Sequence, residues 1–224
     1  MSFSHQLSKR IEEVKQRIAA AAATAKRDAD DITLIGVTKT VPIEHVADAY
    51  RLGMRDFGEN YFQEATPKIT EMPGAVWHFV GRIQSNKAAN IGSMFSVVHT
   101  VDSLDKAAKL VKRASQPISV LLEVNIGREP QKAGVFPEKL DELFESVYHM
   151  PSLRVRGLMT MGPANRKAEE LRPYFAEMRS LLERLGLQEG GWLSMGMSAD
   201  YEVAIQEGAT HVRIGSAIFG QRTT

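Results

Sequence analysis

Between Ser4 and about Ala25 the apolar residues Leu7, Ile11, Val14, Ile18 and Ala22 recur every three or four positions, with Lys9, Glu12, Glu13 and Lys15 between them. That spacing puts the apolar side chains on one stripe of a helix, so the chain is predicted to open on an amphipathic helix. The pattern then changes to short apolar, β-branched runs alternating with helical ones. Strands are predicted at Leu34–Val37, Arg55–Phe57, Val76–Val80, Val97–Thr100, Ile118–Asn125, Leu153–Met159, Trp192–Ser194 and His211–Ile214. Helices are predicted at Ile43–Leu52, Tyr61–Ile69, Ser85–Gly92, Leu104–Arg113, Pro137–Tyr148, Lys167–Leu185 and Ala199–Glu207.

About eight strand–helix units in strict alternation imply a parallel sheet with helices outside it. A chain of 224 residues is near the ~250 typical of a (β/α)8 barrel. An open doubly wound sheet usually has fewer strands, and neither GxGxxG nor GxxxxGK occurs. The expected fold is therefore α/β, a single TIM-type (β/α)8 barrel with an extra N-terminal helix. Gly53, Gly58, Gly81, Gly134, Gly157, Gly162 and Gly208 fall at the joints, and no linker-like stretch or fixed-period repeat divides the chain. One domain over residues 1–224 is expected.

Composition narrows the function. Hydrophobic residues at 43% and charged residues at 25% describe an ordinary globular protein. A net charge of +1 argues against nucleic acid, whose binding needs a concentrated excess of Lys and Arg. The one basic cluster, Lys106, Lys109, Lys112 and Arg113, reads as a solvated helix face. Without Cys there are no disulfides, thiolate metal sites or thiol nucleophiles. No run approaches the ~18 apolar residues of a membrane span, and Met1 to Arg10 lacks the apolar core of a signal peptide. A cytoplasmic protein is expected.

Candidate chemistry begins at Lys39, which closes the apolar run Ile32 to Lys39 at the end of the first strand. Burial and a neighbouring cation both disfavour an ammonium ion, and an amine so placed is a nucleophile able to form a Schiff base with an aldehyde. Taken alone, a strand-end lysine more often snorkels into solvent. The other end of the chain changes the balance. Barrels hold ligands at the C-terminal ends of their strands, with phosphate often in the loops after the last two.

There the chain carries Ser194-Met195-Gly196-Met197-Ser198 and Arg213-Ile214-Gly215-Ser216-Ala217-Ile218-Phe219-Gly220. Gly215 and Ser216 open a short helix whose free N–H groups favour an anion. Ser198 and Ser216 as plain helix caps, and Arg213 as an internal ion-pair partner, are the competing readings. Closure of the barrel sets the last strands beside the first, so amine, cation and phosphate cradle converge. A ligand with both an aldehyde and a phosphate satisfies all three, and pyridoxal phosphate is the commonest such cofactor.

The stretches Val37 to Thr40, Phe57 to Tyr61, Trp77 to Lys87, Arg156 to Met159, Leu193 to Ser198 and Val212 to Gly220 resemble the pyridoxal phosphate homeostasis protein family nearly end to end, Trp77 to Lys87 being the most diagnostic. The resemblance implies a barrel similar to the N-terminal domain of alanine racemase, with pyridoxal 5'-phosphate held as a Schiff base on Lys39. By the same likeness Ser198, Gly215 and Ser216 hold the phosphate, Arg213 faces the pyridine nitrogen and Asn60 lies close to the ring. Family members are not established enzymes; they are thought to buffer the cofactor and deliver it to apo-enzymes. Val41 departs from the pattern, since relatives often carry a second basic residue there.

Two features favour a carrier over a catalyst. An arginine at the pyridine nitrogen disfavours its protonation and weakens the ring as an electron sink. The sequence also reaches Thr224 just after the last barrel element, so a second domain with a tyrosine base is not expected. The rival readings are a pyridoxal-phosphate-dependent racemase or lyase, a cofactor-free Schiff-base aldolase, and a purely interaction-based role. No catalytic residue is assigned. His78, between two aromatics, reads as a satisfied core group, and none of the six histidines has metal-ligand spacing. Lys132 reads as a surface loop lysine, while Glu59, Glu123 and Asn125 at strand ends are candidates to support the site. A monomer or weak dimer is expected.

Overall fold

A computed structural model describes residues 3–187 and 189–220. Residues 1, 2, 188 and 221–224, which include both limits of the expected domain and Thr224, lie outside the described residues. Eight parallel strands pair in sequence order and close into a barrel: β1 (Thr33–Val37), β2 (Asp56–Glu59), β3 (Val76–Phe79), β4 (Val97–Val101), β5 (Ile118–Val124), β6 (Leu153–Thr160), β7 (Trp192–Ser194) and β8 (His211–Ile214). Between them run α2 (Ile43–Arg51), α3 (Phe62–Glu71), α4 (Ala88–Met94), α5 (Leu104–Leu110), α6 (Leu140–Tyr148), α7 (Arg172–Arg184) and α8 (Tyr201–Gln206), with α9 (Ser216–Phe219) after β8. The (β/α)8 expectation holds. Every predicted strand overlaps an observed one.

The additional helix α1 (Phe3–Thr24) buries Leu7, Ile11, Val14, Ile18 and Ala22, the stripe expected, against α8, α9 and α2. Arg27 fastens its far end by donating from Nη1 to the carbonyls of Ile205 (2.9 Å) and Ala209 (2.7 Å). The single long helix expected at Lys167–Leu185 is instead a 3-10 turn, Ala168–Leu171, followed by α7. Pro173 explains the break: it has no N–H to donate and is tolerated only in a first helical turn, so α7 starts around it.

Strand alternation sorts side chains between two layers. Trp77 and Phe79 point outward under the helices, with ring centroids 5.4 Å from Phe57 and 5.1 Å from Phe95 respectively. His78 between them points into the barrel. The interior is accordingly partly polar while the layer beneath the helices is apolar. Two members of the basic cluster are neutralised on its own helix face, Lys106 by Asp102 and Lys109 by Asp105, each at 2.6 Å. Among the described residues no helix is long and apolar enough to cross a membrane.

Candidate functional site

The barrel closes with β1 on β8 in the register Thr33↔His211, Leu34↔Val212, Ile35↔Arg213 and Gly36↔Ile214. Both strands run in the same direction, so the β1–α2 turn and the β8–α9 turn emerge side by side at the C-terminal mouth. Lys39 stands in the first of these, two residues beyond β1 and half-buried. A cavity of about 280 Å3 separates the turns, lined among others by Val37, Thr40, Pro42, His45, Gly215 and Ser216.

The backbone on both sides of Lys39 is clamped. Before it, Thr38 Oγ1 donates to Glu59 Oε1 (2.7 Å), and the Thr38 carbonyl accepts from Lys68 Nζ (2.7 Å). Lys68 and Glu59 are themselves a buried ion pair at 2.5 Å. After it, Thr40 N–H donates to Glu64 Oε2 (2.7 Å). Thr40 has φ of 60°, a left-handed conformation that a β-branched residue adopts only under constraint. Strain of this kind, of order ~1–3 kcal/mol, persists where surrounding contacts over-determine it and concentrates at functional sites.

The opposite wall comes from the loops after β7 and β8. Ser198 Oγ accepts from the N–H of Ala217 in the first turn of α9 (3.4 Å), which ties the two loops together beside Gly215 and Ser216. Asp200 Oδ1 accepts from Met197 N–H (2.6 Å) and closes the loop on itself. Gly196 makes that loop possible: its φ is +94°, and an added Cβ would lie 2.8 Å from Tyr201 Cα. Its carbonyl accepts from the Arg213 backbone N–H (3.0 Å).

The Arg213 side chain, 5% exposed, donates from Nη1 to Ser194 Oγ (2.6 Å) and from Nη2 to the Thr160 carbonyl (2.8 Å). Burial lowers its pKa to about 10, partly offset by Asp200 and Glu123, so it remains a cation at neutral pH. Glu123 is pushed up to about 7, by burial first and by Asp102 next.

The structure thus sets the Lys39 turn beside Gly215 and Ser216, with Ser198 tied to α9 and Arg213 on β8 below them. Asn60 is also at the mouth, after β2, half-buried in a cavity of about 260 Å3 with Arg82 and Lys87. Lys132 is not the surface lysine expected. It is half-buried, paired with Glu129 at 2.5 Å and donating to the Gly162 carbonyl (3.1 Å). It lines a separate cavity of about 340 Å3 with Glu123, Asn125 and Met197. Glu59, a candidate support residue, accepts from Thr38, one residue before Lys39. Asn125 braces the loop after β5, donating to the Glu129 carbonyl (2.8 Å) and accepting from its N–H (3.1 Å).

Lys68 and Ser194 escaped the sequence reading, although Lys68 shares a helical face with the buried Ala65 and Met72. His78 is a satisfied interior group, bonded to His99 (2.9 Å) and Asp56 (3.0 Å). Among the described residues no group of three His, Cys, Asp or Glu is arranged to hold a metal ion.

A closed parallel barrel with a lysine after its first strand and a Gly-Ser turn after its last defines a class, and the profile of the alanine racemase, N-terminal domain, family matches residues 6–223. A curated relative from Pseudomonas aeruginosa, named pyridoxal phosphate homeostasis protein, is 44% identical over 221 residues, covering 96% of this chain and 96% of its own. The chain belongs to the pyridoxal phosphate homeostasis protein family. Among solved structures, PipY of Synechococcus elongatus with pyridoxal phosphate bound superposes with a TM-score of 0.79 at 34% identity, over 91% of this chain and 100% of that one. Alanine racemase from Corynebacterium glutamicum, at 16% identity and a TM-score of 0.69, shares the fold over 96% of this chain and 62% of its own.

Proposed function

We propose that this chain binds pyridoxal 5'-phosphate at the barrel mouth, covalently on Lys39, and serves cofactor homeostasis as a carrier or regulator, handing it to apo-enzymes. The observation that carries this reading is the β1–β8 register, which sets the Lys39 turn beside Ser198, Gly215 and Ser216 with Arg213 in the next layer down. The donor set fits the cofactor. The hydroxyls of Ser198 and Ser216 and the N–H groups opening α9 suit a phosphate dianion. Lys39 Nζ is the amine on which the cofactor would be held, through the aldehyde it would supply, with loss of water.

Thr38 and Thr40, held by Glu59, Lys68 and Glu64, keep that amine in place. Arg213 is donor-only, so an N–H presented to the ring nitrogen would hold that atom as an acceptor, and Asn60 would flank the ring. The relative's name and the bound state of PipY support the choice of cofactor. A cytoplasmic protein of one domain, monomeric or weakly dimeric, suits a chain without Cys.

The test is optical and mass-spectrometric. Purified protein, or protein given pyridoxal phosphate, is expected to be yellow and to lose its visible band on borohydride treatment, with the added mass on the peptide bearing Lys39. Lys39→Ala is expected to be colourless. Colourless wild type that also fails to take up added cofactor overturns the reading, and trapping of a sugar phosphate in its place would point to an aldolase.

A further inference from the structure

The barrel interior holds a hydrogen-bonded file that runs from the start of β2 to β8. Asp56 Oδ1 lies 3.0 Å from His78 Nε2, and His78 Nδ1 lies 2.9 Å from His99 Nε2. His99 Nδ1 lies 3.0 Å from Ser194 Oγ, which accepts from Arg213 Nη1 at 2.6 Å. His78, His99, Ser194 and Arg213 are all buried. Asp56 alone reaches water: its side chain is 28% exposed, and it lines a cavity of about 420 Å3 at the N-terminal face with Lys15, Thr33 and Arg55.

The ends of the file determine the protons between them. A guanidinium only donates and a carboxylate only accepts. Asp56 takes hydrogen from His78 Nε2, so a neutral His78 presents a lone pair at Nδ1 to the Nε2–H of His99. His99 then accepts at Nδ1 from the Ser194 hydroxyl, whose oxygen accepts from Arg213. Every ring nitrogen is satisfied with both imidazoles neutral; moving the His78 proton to Nδ1 sets N–H against N–H and a lone pair against the carboxylate, and moving the His99 proton to Nδ1 sets two lone pairs against each other. Burial, together with the neighbouring His78, Arg213 and His211, holds His99 well below the usual imidazole range, in keeping with a neutral ring. His211 stands beside the file, its ring centroid 6.3 Å from His78 and 6.4 Å from His99, bonded to Thr210 instead.

We propose that Asp56 is a positioning residue for the Arg213 guanidinium: through His78, His99 and Ser194 it sets, from the opposite end of the barrel, the orientation in which Arg213 meets the bound cofactor. This rests on the reading that Arg213 faces the ring of pyridoxal phosphate. Without an acceptor at Asp56, His78 has no reason to keep hydrogen on Nε2. The tautomers then mix, Ser194 loses its fixed acceptor, and the Arg213 donor is no longer aimed.

The first measurement needs no cofactor. Long-range 1H–15N spectra of histidine-labelled protein at pH 7.5 should show His78 and His99 neutral, with hydrogen on Nε2 in both. Asp56→Ala should give mixed tautomers, and Asp56→Glu, which keeps an acceptor-only carboxylate, should restore the wild-type pattern. The second measurement is the visible band of the loaded protein. It should shift in Asp56→Ala, with cofactor retained on Lys39 but bound roughly two- to tenfold more weakly, the effect of one disturbed hydrogen bond, and should return in Asp56→Glu.

A doubly protonated His78 in wild type, or tautomers unchanged in Asp56→Ala, overturns the proposal. Mixed tautomers with an unmoved band and affinity overturn the link to Arg213 while leaving cofactor binding standing. A wild type that binds no cofactor removes the function and with it the link, although the spectra still decide the file. If Asp56→Ala does not fold, Ser194→Ala cuts the same file at its other end and must mix the tautomers of His99 and shift the band.

Discussion

Replacing Lys68 by Met tests how the Lys39 turn is held. Glu59 is 0% exposed, and its Oε1 takes two donors, Lys68 Nζ at 2.5 Å and Thr38 Oγ1 at 2.7 Å. Its other oxygen accepts the Asn60 backbone N–H, at 3.2 Å, as its one bond among the described residues. Lys68→Met therefore leaves a buried carboxylate with neutral donors alone, and removes the bond from Lys68 to the Thr38 carbonyl. Breaking one side of a buried pair costs about 3–5 kcal/mol, because the remaining charge has lost its solvation without compensation. Against a typical total stability of ~5–15 kcal/mol that is a large fraction.

The double variant Glu59→Gln/Lys68→Met separates pair strength from desolvation. Its glutamine would be uncharged and its one oxygen could still accept from either Thr38 or Asn60, so the double variant should recover at least half the loss, with a favourable coupling of about 2–3 kcal/mol. Urea melts followed by Trp77 and Trp192, the protein's two tryptophans, give both numbers if the slope with denaturant is unchanged. A Lys68→Met cost below about 1 kcal/mol, or a double variant as unstable as the sum of the single ones, would refute the reasoning.

Other outcomes follow from single groups. Glu123, raised from 4.5 to about 7 in the fold, holds its proton more tightly folded than unfolded. Its contribution to stability is therefore greatest below about pH 4.5 and is lost as pH rises to about 7, by on the order of 3 kcal/mol. Glu123→Gln should remove that slope, and a difference from wild type that is the same at pH 5 and pH 8 contradicts it. Gly81→Ala would drive its Cβ into the Asn60 backbone, which cannot swing aside as a side chain does. We expect a loss of about 2–3 kcal/mol in thermal melts and weaker cofactor binding; an unchanged melting temperature would show the β2 loop to be pliant. Leu7→Ala empties a fully buried position of α1 and should cost about 2–5 kcal/mol in urea melts, whereas a loss near zero would mean that α1 is loosely appended to the barrel.

How much of this could be read from the residues in order depends on whether the physics is local. Lys39 stands out because it ends an apolar run, and Ser198, Gly215 and Ser216 because small residues after a short strand have few other uses. Lys68 was legible in principle, as a cation on the face shared by Ala65 and Met72, but its partner Glu59 lies nine residues earlier on another element. The strain at Thr40 has no local sign, since a threonine with φ of 60° is the opposite of what its own preference dictates. Of the interior file, sequence reading reached Arg213 as a site residue and His78 as a core group, but not the link between them. Alternation along a strand says which face a side chain takes but not how high in the barrel it sits. Height is fixed by register between strands, and the steps of the file join residues as far as 95 positions apart. Closure and register together bring β3, β4, β7 and β8 to one interior level. From there the donor-only Arg213 and acceptor-only Asp56 dictate the order of the protons, a property that belongs to the folded arrangement and to no segment of the chain.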